Sequence, residues 1–239
     1  MHDLDEHGAT SPPPTGAHPR TELFDSTRSL YYLKPTLRGW MHLLWFEAAL
    51  VAGTLLIRDA HGVRPLVAAV VYASAVAGLF GTSALYHRGE WSAVWSARLQ
   101  RLDHGWIFVV IAASATPIFL LTTPGTTGVI GLLAIWLLAG AALLTHLLWM
   151  DAPERIVGGS FLALGAGGSV AIAAVWMHAG VLPAVLLAIG SLLHATGAVS
   201  YHRRQPDPIP AVFGYHEVFH TYVCVAVLCQ YIAIAMIIT

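Results

Sequence analysis

His216 and His220 lie four residues apart in the run Phe213-Gly214-Tyr215-His216-Glu217-Val218-Phe219-His220. On a helix that spacing stacks two imidazoles on one face, where both can point at one ion. His87 closes a second run, Ser83-Ala84-Leu85-Tyr86-His87, and supplies a third imidazole. Three protein ligands with one position left open is the pattern of a catalytic zinc site rather than of a closed structural one. Zinc in such a site activates water for hydrolysis. Asp103, in Arg101-Leu102-Asp103-His104-Gly105, is the carboxylate that can hold or deprotonate that water, or act as a fourth ligand. Ser83 sits one helical turn before His87 and is spaced to hydrogen-bond behind the ligands. The expected site is therefore Zn2+ on His87, His216 and His220, with Asp103 and Ser83 as catalytic groups.

Those residues are far apart in the chain, so the elements that carry them must deliver them to one place. The chain has 239 residues, of which 56% are hydrophobic and 10% charged, and its mean hydropathy is +0.67. A soluble domain carries about 25% charged residues, so most of this surface is expected to face lipid. Seven apolar runs, at about 41–57, 66–87, 103–122, 128–149, 156–177, 182–201 and 214–238, each approach the length needed to cross a bilayer. Short breaks such as Thr122-Thr123-Pro124-Gly125 and Gln205-Pro206-Asp207-Pro208 separate them. The fold expected is all-α, a polytopic membrane protein with seven transmembrane helices over 40–239. Residues 1–39 read as a polar cytoplasmic tail, largely disordered, with the run Ser11-Pro12-Pro13-Pro14 and no apolar core. No early apolar stretch marks a cleaved signal peptide.

Charge sets the orientation. With the N-terminus inside, the cytoplasmic segments hold Arg20, Arg28, Lys34, Arg38, Arg88, Arg98, Arg101, Arg155, Arg203 and Arg204, and only Arg58 and Arg64 fall outside. The positive-inside rule places the N-terminus in the cytoplasm and Thr239 outside. The expected location is the plasma membrane, crossed many times. The second span then ends inside, and the third and seventh begin there. His87, Asp103, His216 and His220 reach the same depth of one leaflet, where polar groups are expensive and need partners.

Other polar groups are more ordinary. His42 and His146 sit near span ends and read as headgroup anchors; His202 with Arg203-Arg204 reads as interfacial. Glu47 lies deeper, in the first span, where an acid is functional by default and can snorkel or pair with a histidine; His194, in the sixth, is open in the same way. Cys224 and Cys229, five residues apart on one helix, face different directions and read as packed thiols. The net charge of -1 gives no reason to expect a nucleic-acid partner; the partners expected are membrane lipids, one of them a substrate. A retinal protein is excluded because the only lysine, Lys34, precedes the first span. A pore would need a continuous polar path, yet the polar residues gather at the inner side. His216-Glu217-Val218-Phe219-His220 also fits the metalloprotease pattern of two histidines flanking a glutamate base. In intramembrane proteases of that kind the aspartate follows the histidines in the chain, whereas Asp103 precedes them, and His87 is left without a role.

At these residues the chain resembles the hemolysin III family, bacterial relatives of the progestin and adipoQ receptors that include the adiponectin receptors. The resemblance rests on Ser83-x-x-x-His87 at the end of the second span, Asp103 opening the third and His216-x-x-x-His220 in the seventh. Arg38-Gly39 with His42, and Phe213-Gly214-Tyr215-His216-Glu217, are also similar to bacterial members. It implies seven helices with the N-terminus inside, zinc on the three histidines and a water held by the aspartate. It further implies hydrolysis of ceramide-like amides, as for the receptor members, while the family name records a cytolytic phenotype. The adiponectin receptors carry glutamine where this chain has Glu217. The sequence ends at Thr239, directly after the last span, so a protein hormone is not an expected partner.

Overall fold

The computed structural model describes residues 22–25, 30–149 and 154–239. Two units separate, Met1–Lys34 and Pro35–Thr239. In the first, β1 (Glu22–Asp25) and β2 (Leu30–Leu33) form an antiparallel pair, with Glu22 opposite Leu33 and Asp25 opposite Leu30. The rest of the tail expected over 1–39 lies, for 1–21 and 26–29, outside the described residues.

The second unit is helical. Its elements are α1 (Trp40–Asp59), α2 (Val63–Arg88), α3 (Ala93–Leu121), α4 (Gly125–Leu148), α5 (Glu154–Ser169), α6 (Ile172–Ala179), α7 (Val181–Arg203) and α8 (Tyr215–Ile238). Among the described residues seven stretches are long and apolar enough to cross a membrane. They match the seven expected runs, with two differences. The third helix begins at Ala93 rather than near Asp103, capped by Ser92, whose hydroxyl accepts from the backbone N–H of Trp95 at 3.5 Å. Asp103 therefore lies inside α3 rather than opening it. The fifth span is broken at Val170-Ala171 into α5 and α6. The break follows Gly167-Gly168, residues with poor helix propensity.

Burial follows from how the helices neighbour one another. α1 packs on α2 and α8, α2 on α3, α3 on α4, and α7 on α8. A core of Leu56, Tyr72, Phe80, Val110, Val227 and Ile234 joins α1, α2, α3 and α8. Many of its remaining members are alanines, including Ala68, Ala69 and Ala113, which let helix backbones come close where lipid supplies no hydrophobic drive. The outward faces remain apolar, as at Leu44, Leu137, Leu192 and Val129.

One non-helical contact positions the site. The turn before α1 hydrogen-bonds to the α7–α8 loop, Thr36 N–H to Ala211 C=O at 3.1 Å and Leu37 N–H to Val212 C=O at 3.2 Å. This fastens the entry of the first span to the entry of the last.

Candidate metal centre

The C-terminal end of α2 and the N-terminal ends of α1, α3 and α8 meet at one end of the bundle. α8 starts sharply because its first donors are met: Asp207 accepts from Tyr215 N–H and Glu217 from Gly214 N–H, each at 2.9 Å. From that start His216 and His220 face the end of α2. His87, His216 and His220 each offer a ring nitrogen, and the three nitrogens lie within 4.8 Å of one another. The Nε2 atoms of His87 and His216 are 3.2 Å apart. Two nitrogens bound to one tetrahedral zinc at its usual bond length are about 3.3 Å apart, so the spacing fits a shared ion. His87 and His220 are buried and His216 half-buried. The donor set suits a metal ion, since neutral imidazoles crowded out of water gain a common partner from it.

Asp103 stands beside this set, its Oδ2 3.6 Å from His87 Nε2. Ser83, also buried, lies next to the Asp103 carboxyl. The structure thus brings together all five residues singled out in the sequence.

Glu217 does something else. It is 1% exposed, and its carboxylate pairs with the Arg38 guanidinium through Nε while also accepting from Gly214 N–H. Lying between the two candidate-ligand histidines in sequence, it points to another neighbour, as the roughly 100° step between adjacent helical residues requires. The metalloprotease pattern is present in sequence, but its glutamate is committed to an ion pair.

Two residues at the site carry more weight than the sequence gave them. His42, expected to anchor at headgroups, is buried and stacks flat on His220, with ring centroids 3.7 Å apart and planes 7° apart. Among the described residues neither of its ring nitrogens has a hydrogen-bond partner. Gly39 has φ +80°, and a Cβ there would stand 2.8 Å from His87 Cβ. The glycine therefore serves both a left-handed turn and a close approach. The signal available in sequence was the Arg38-Gly39-x-x-His42 spacing, which now reads as ion pair, turn and stacking ring in succession.

The remaining candidates lie elsewhere. His146 approaches His104, with ring centroids 5.9 Å apart, and is not among the three. His194 neighbours Gln230. His202 is exposed at the end of α7, and Cys224 and Cys229 are free thiols.

A family model described as haemolysin-III related matches residues 30–231. That range takes in the ends of α1, α2, α3 and α8 on which the site is built.

Proposed function

This chain belongs to the haemolysin-III related family, and on that premise we propose that it is a zinc-dependent hydrolase of lipid amide bonds. Its substrate class is ceramide-like, taken from the inner leaflet of the plasma membrane. The observation that carries this reading is the convergence of three imidazoles with an acidic side chain at the end of an apolar bundle. His87, His216 and His220 would hold the ion. When bound, zinc supplies a Lewis acid that lowers the pKa of water to about 7. Asp103 is the general base, receiving a proton on its carboxylate close to the ligand set. Ser83, beside that carboxylate, orients it. Lipid reaches the site laterally, because the flanks of the bundle are apolar. The bias of basic residues supports the reading that this end of the bundle lies in the cytoplasmic leaflet.

The protease alternative loses support from Glu217, whose carboxylate is held by Arg38 and Gly214. The experiment that tests the proposal measures metal and hydrolysis together. Purified protein should hold about one zinc per chain, sharply reduced in His87→Ala and unchanged in His178→Ala, which alters an exposed ring at the end of α6. Zinc-loaded protein should release fatty acid from a ceramide or another N-acyl lipid, and chelation should stop it. Asp103→Asn should keep much of the zinc and lose about 10²–10⁴-fold in rate. Equal zinc in the parent, His87→Ala and His178→Ala proteins would sink the metal assignment. Ion conductance in pure bilayers that survives loss of the three histidines would replace the hydrolase with a pore.

A further inference from the structure

A cavity of about 140 Å³ lies between α1, α2 and α8, and none of the three candidate metal ligands lines it. Four of its walls are aromatic: Trp45, Tyr72, Phe80 and Tyr231. Ala48 and Leu228, which also line it, are exposed, so it opens sideways between α1 and α8 towards lipid. At the end nearest the metal centre Phe80 packs T-shaped against His42, with ring centroids 5.0 Å apart. Two hydroxyls belong to these walls. Tyr231 O–H donates to Ala52 C=O at 3.0 Å. Tyr72 is 1% exposed, and among the described residues its hydroxyl has no hydrogen-bond partner. A buried donor in apolar surroundings is costly until an acceptor meets it. Water is a poor candidate, because it needs about two to four polar partners and an apolar cavity of this size stays dry.

We propose that this cavity binds the ring of a lipid-soluble quinone, with one ring carbonyl accepting from Tyr72 O–H and the attached chain leaving between α1 and α8. Size sets one limit. A cavity of about 150 Å³ holds a benzene ring, so a single six-membered ring fits here and the fused rings of a sterol overfill the space. Depth sets another. Tyr72 lies about 14 Å along α2 from Val63 and about 24 Å from Arg88, within a hydrocarbon core about 30 Å thick. Phospholipids hold their ester carbonyls in the interfacial layers outside that core, so the acceptor belongs to a molecule that carries it into the core. Chemistry sets the third. A carbonyl takes the tyrosine's proton and brings none of its own, whereas an alcohol adds a proton that these walls must then meet. The electron-poor quinone ring also suits aromatic walls, whose ring faces are negative. Its second carbonyl is no worse off than in the lipid it left.

The test uses full-length protein in phosphatidylcholine vesicles, with Cys229→Ala as background so that this half-buried thiol does not add to the quinone. Tritiated 2-decyl-1,4-benzoquinone should bind saturably, at about one per chain, with concentrations counted per lipid and protein-free vesicles subtracted. Decylbenzene, which has the same ring and chain but no carbonyl, should compete about fivefold to thirtyfold more weakly, the range of one hydrogen bond in lipid. Tyr72→Phe should weaken quinone binding by the same factor and level the two ligands. Without quinone that variant should melt no lower than the background protein, because the hydroxyl it lacks had no partner to lose. Ala49→Leu, whose side chain grows into the cavity from α1, should abolish saturable binding. Absence of saturable binding in the background protein overturns the proposal. Equal competition by decylbenzene there also overturns it and gives the cavity to a hydrocarbon chain. Quinone binding undiminished in Tyr72→Phe or in Ala49→Leu does so as well, by placing the quinone elsewhere.

Discussion

Arg38→Ala is the sharpest probe of how the site is held together. Arg38 is 6% exposed and Glu217 1%, so the change leaves a carboxylate enclosed by protein with only Gly214 N–H to meet it. Breaking a buried pair from one side costs about 3–5 kcal/mol, mostly the penalty of the charge left behind. For a chain of this size each kcal/mol moves the melting temperature by roughly 2–4 °C, so the variant should melt about 6–20 °C lower. Glu217→Gln should be milder, because glutamine still accepts from Gly214 N–H and only the charge on Arg38 goes unmatched. The double variant Arg38→Met with Glu217→Gln removes both charges and should recover much of the loss seen in Arg38→Ala. The assay is thermal unfolding in detergent, followed by size-exclusion fluorescence, with zinc content measured on the same samples. Unchanged melting in Arg38→Ala would refute the buried pair. A Glu217→Gln protein that melts normally but has lost all hydrolysis would restore the protease reading and remove Asp103 from its role.

Two further outcomes are expected. Gly39→Ala should sharply lower stability and zinc affinity together, because the residue has φ +80° and its new methyl would press on His87 at 2.8 Å; isothermal zinc titration checks this, and wild-type affinity would show that the turn relaxes freely. A reporter fused after Thr239 should be active only outside the cytoplasm; cytoplasmic activity would invert the orientation and move the site to the other leaflet.

Span length made most of the fold legible. Seven apolar runs matched seven membrane-length stretches because each crossing must satisfy its backbone internally over a fixed thickness. Where apolarity stopped, so did the reading. Residues Ala93–Leu102 are helical but carry Arg98 and Arg101, and a hydrophobic run registers only the membrane part of such a helix. The break at Val170-Ala171 sits inside an apolar stretch whose average hydropathy hides it. The ligand trio was legible because helical spacing and shared depth both point to it. Arg38 and Glu217 were not paired in sequence, since nothing local links residues that far apart. His42 was misjudged for a related reason: depth along a span says where a ring lies, and only the rotation of the helix says whether it faces lipid or a neighbouring histidine.

Two of the three candidate ligands, His216 and His220, are on α8, which leaves the ribosome after α1–α7. A growing chain that has inserted six spans can offer only His87 at this place, with Asp103 beside it. On the proposed metal reading, a polypeptide interrupted before Tyr215 lacks two of the three candidate ligands, however well the helices before it have folded. The contact between Thr36-Leu37 and Ala211-Val212 gives the arriving helix its berth, because the first span's entry waits beside the loop that precedes the last.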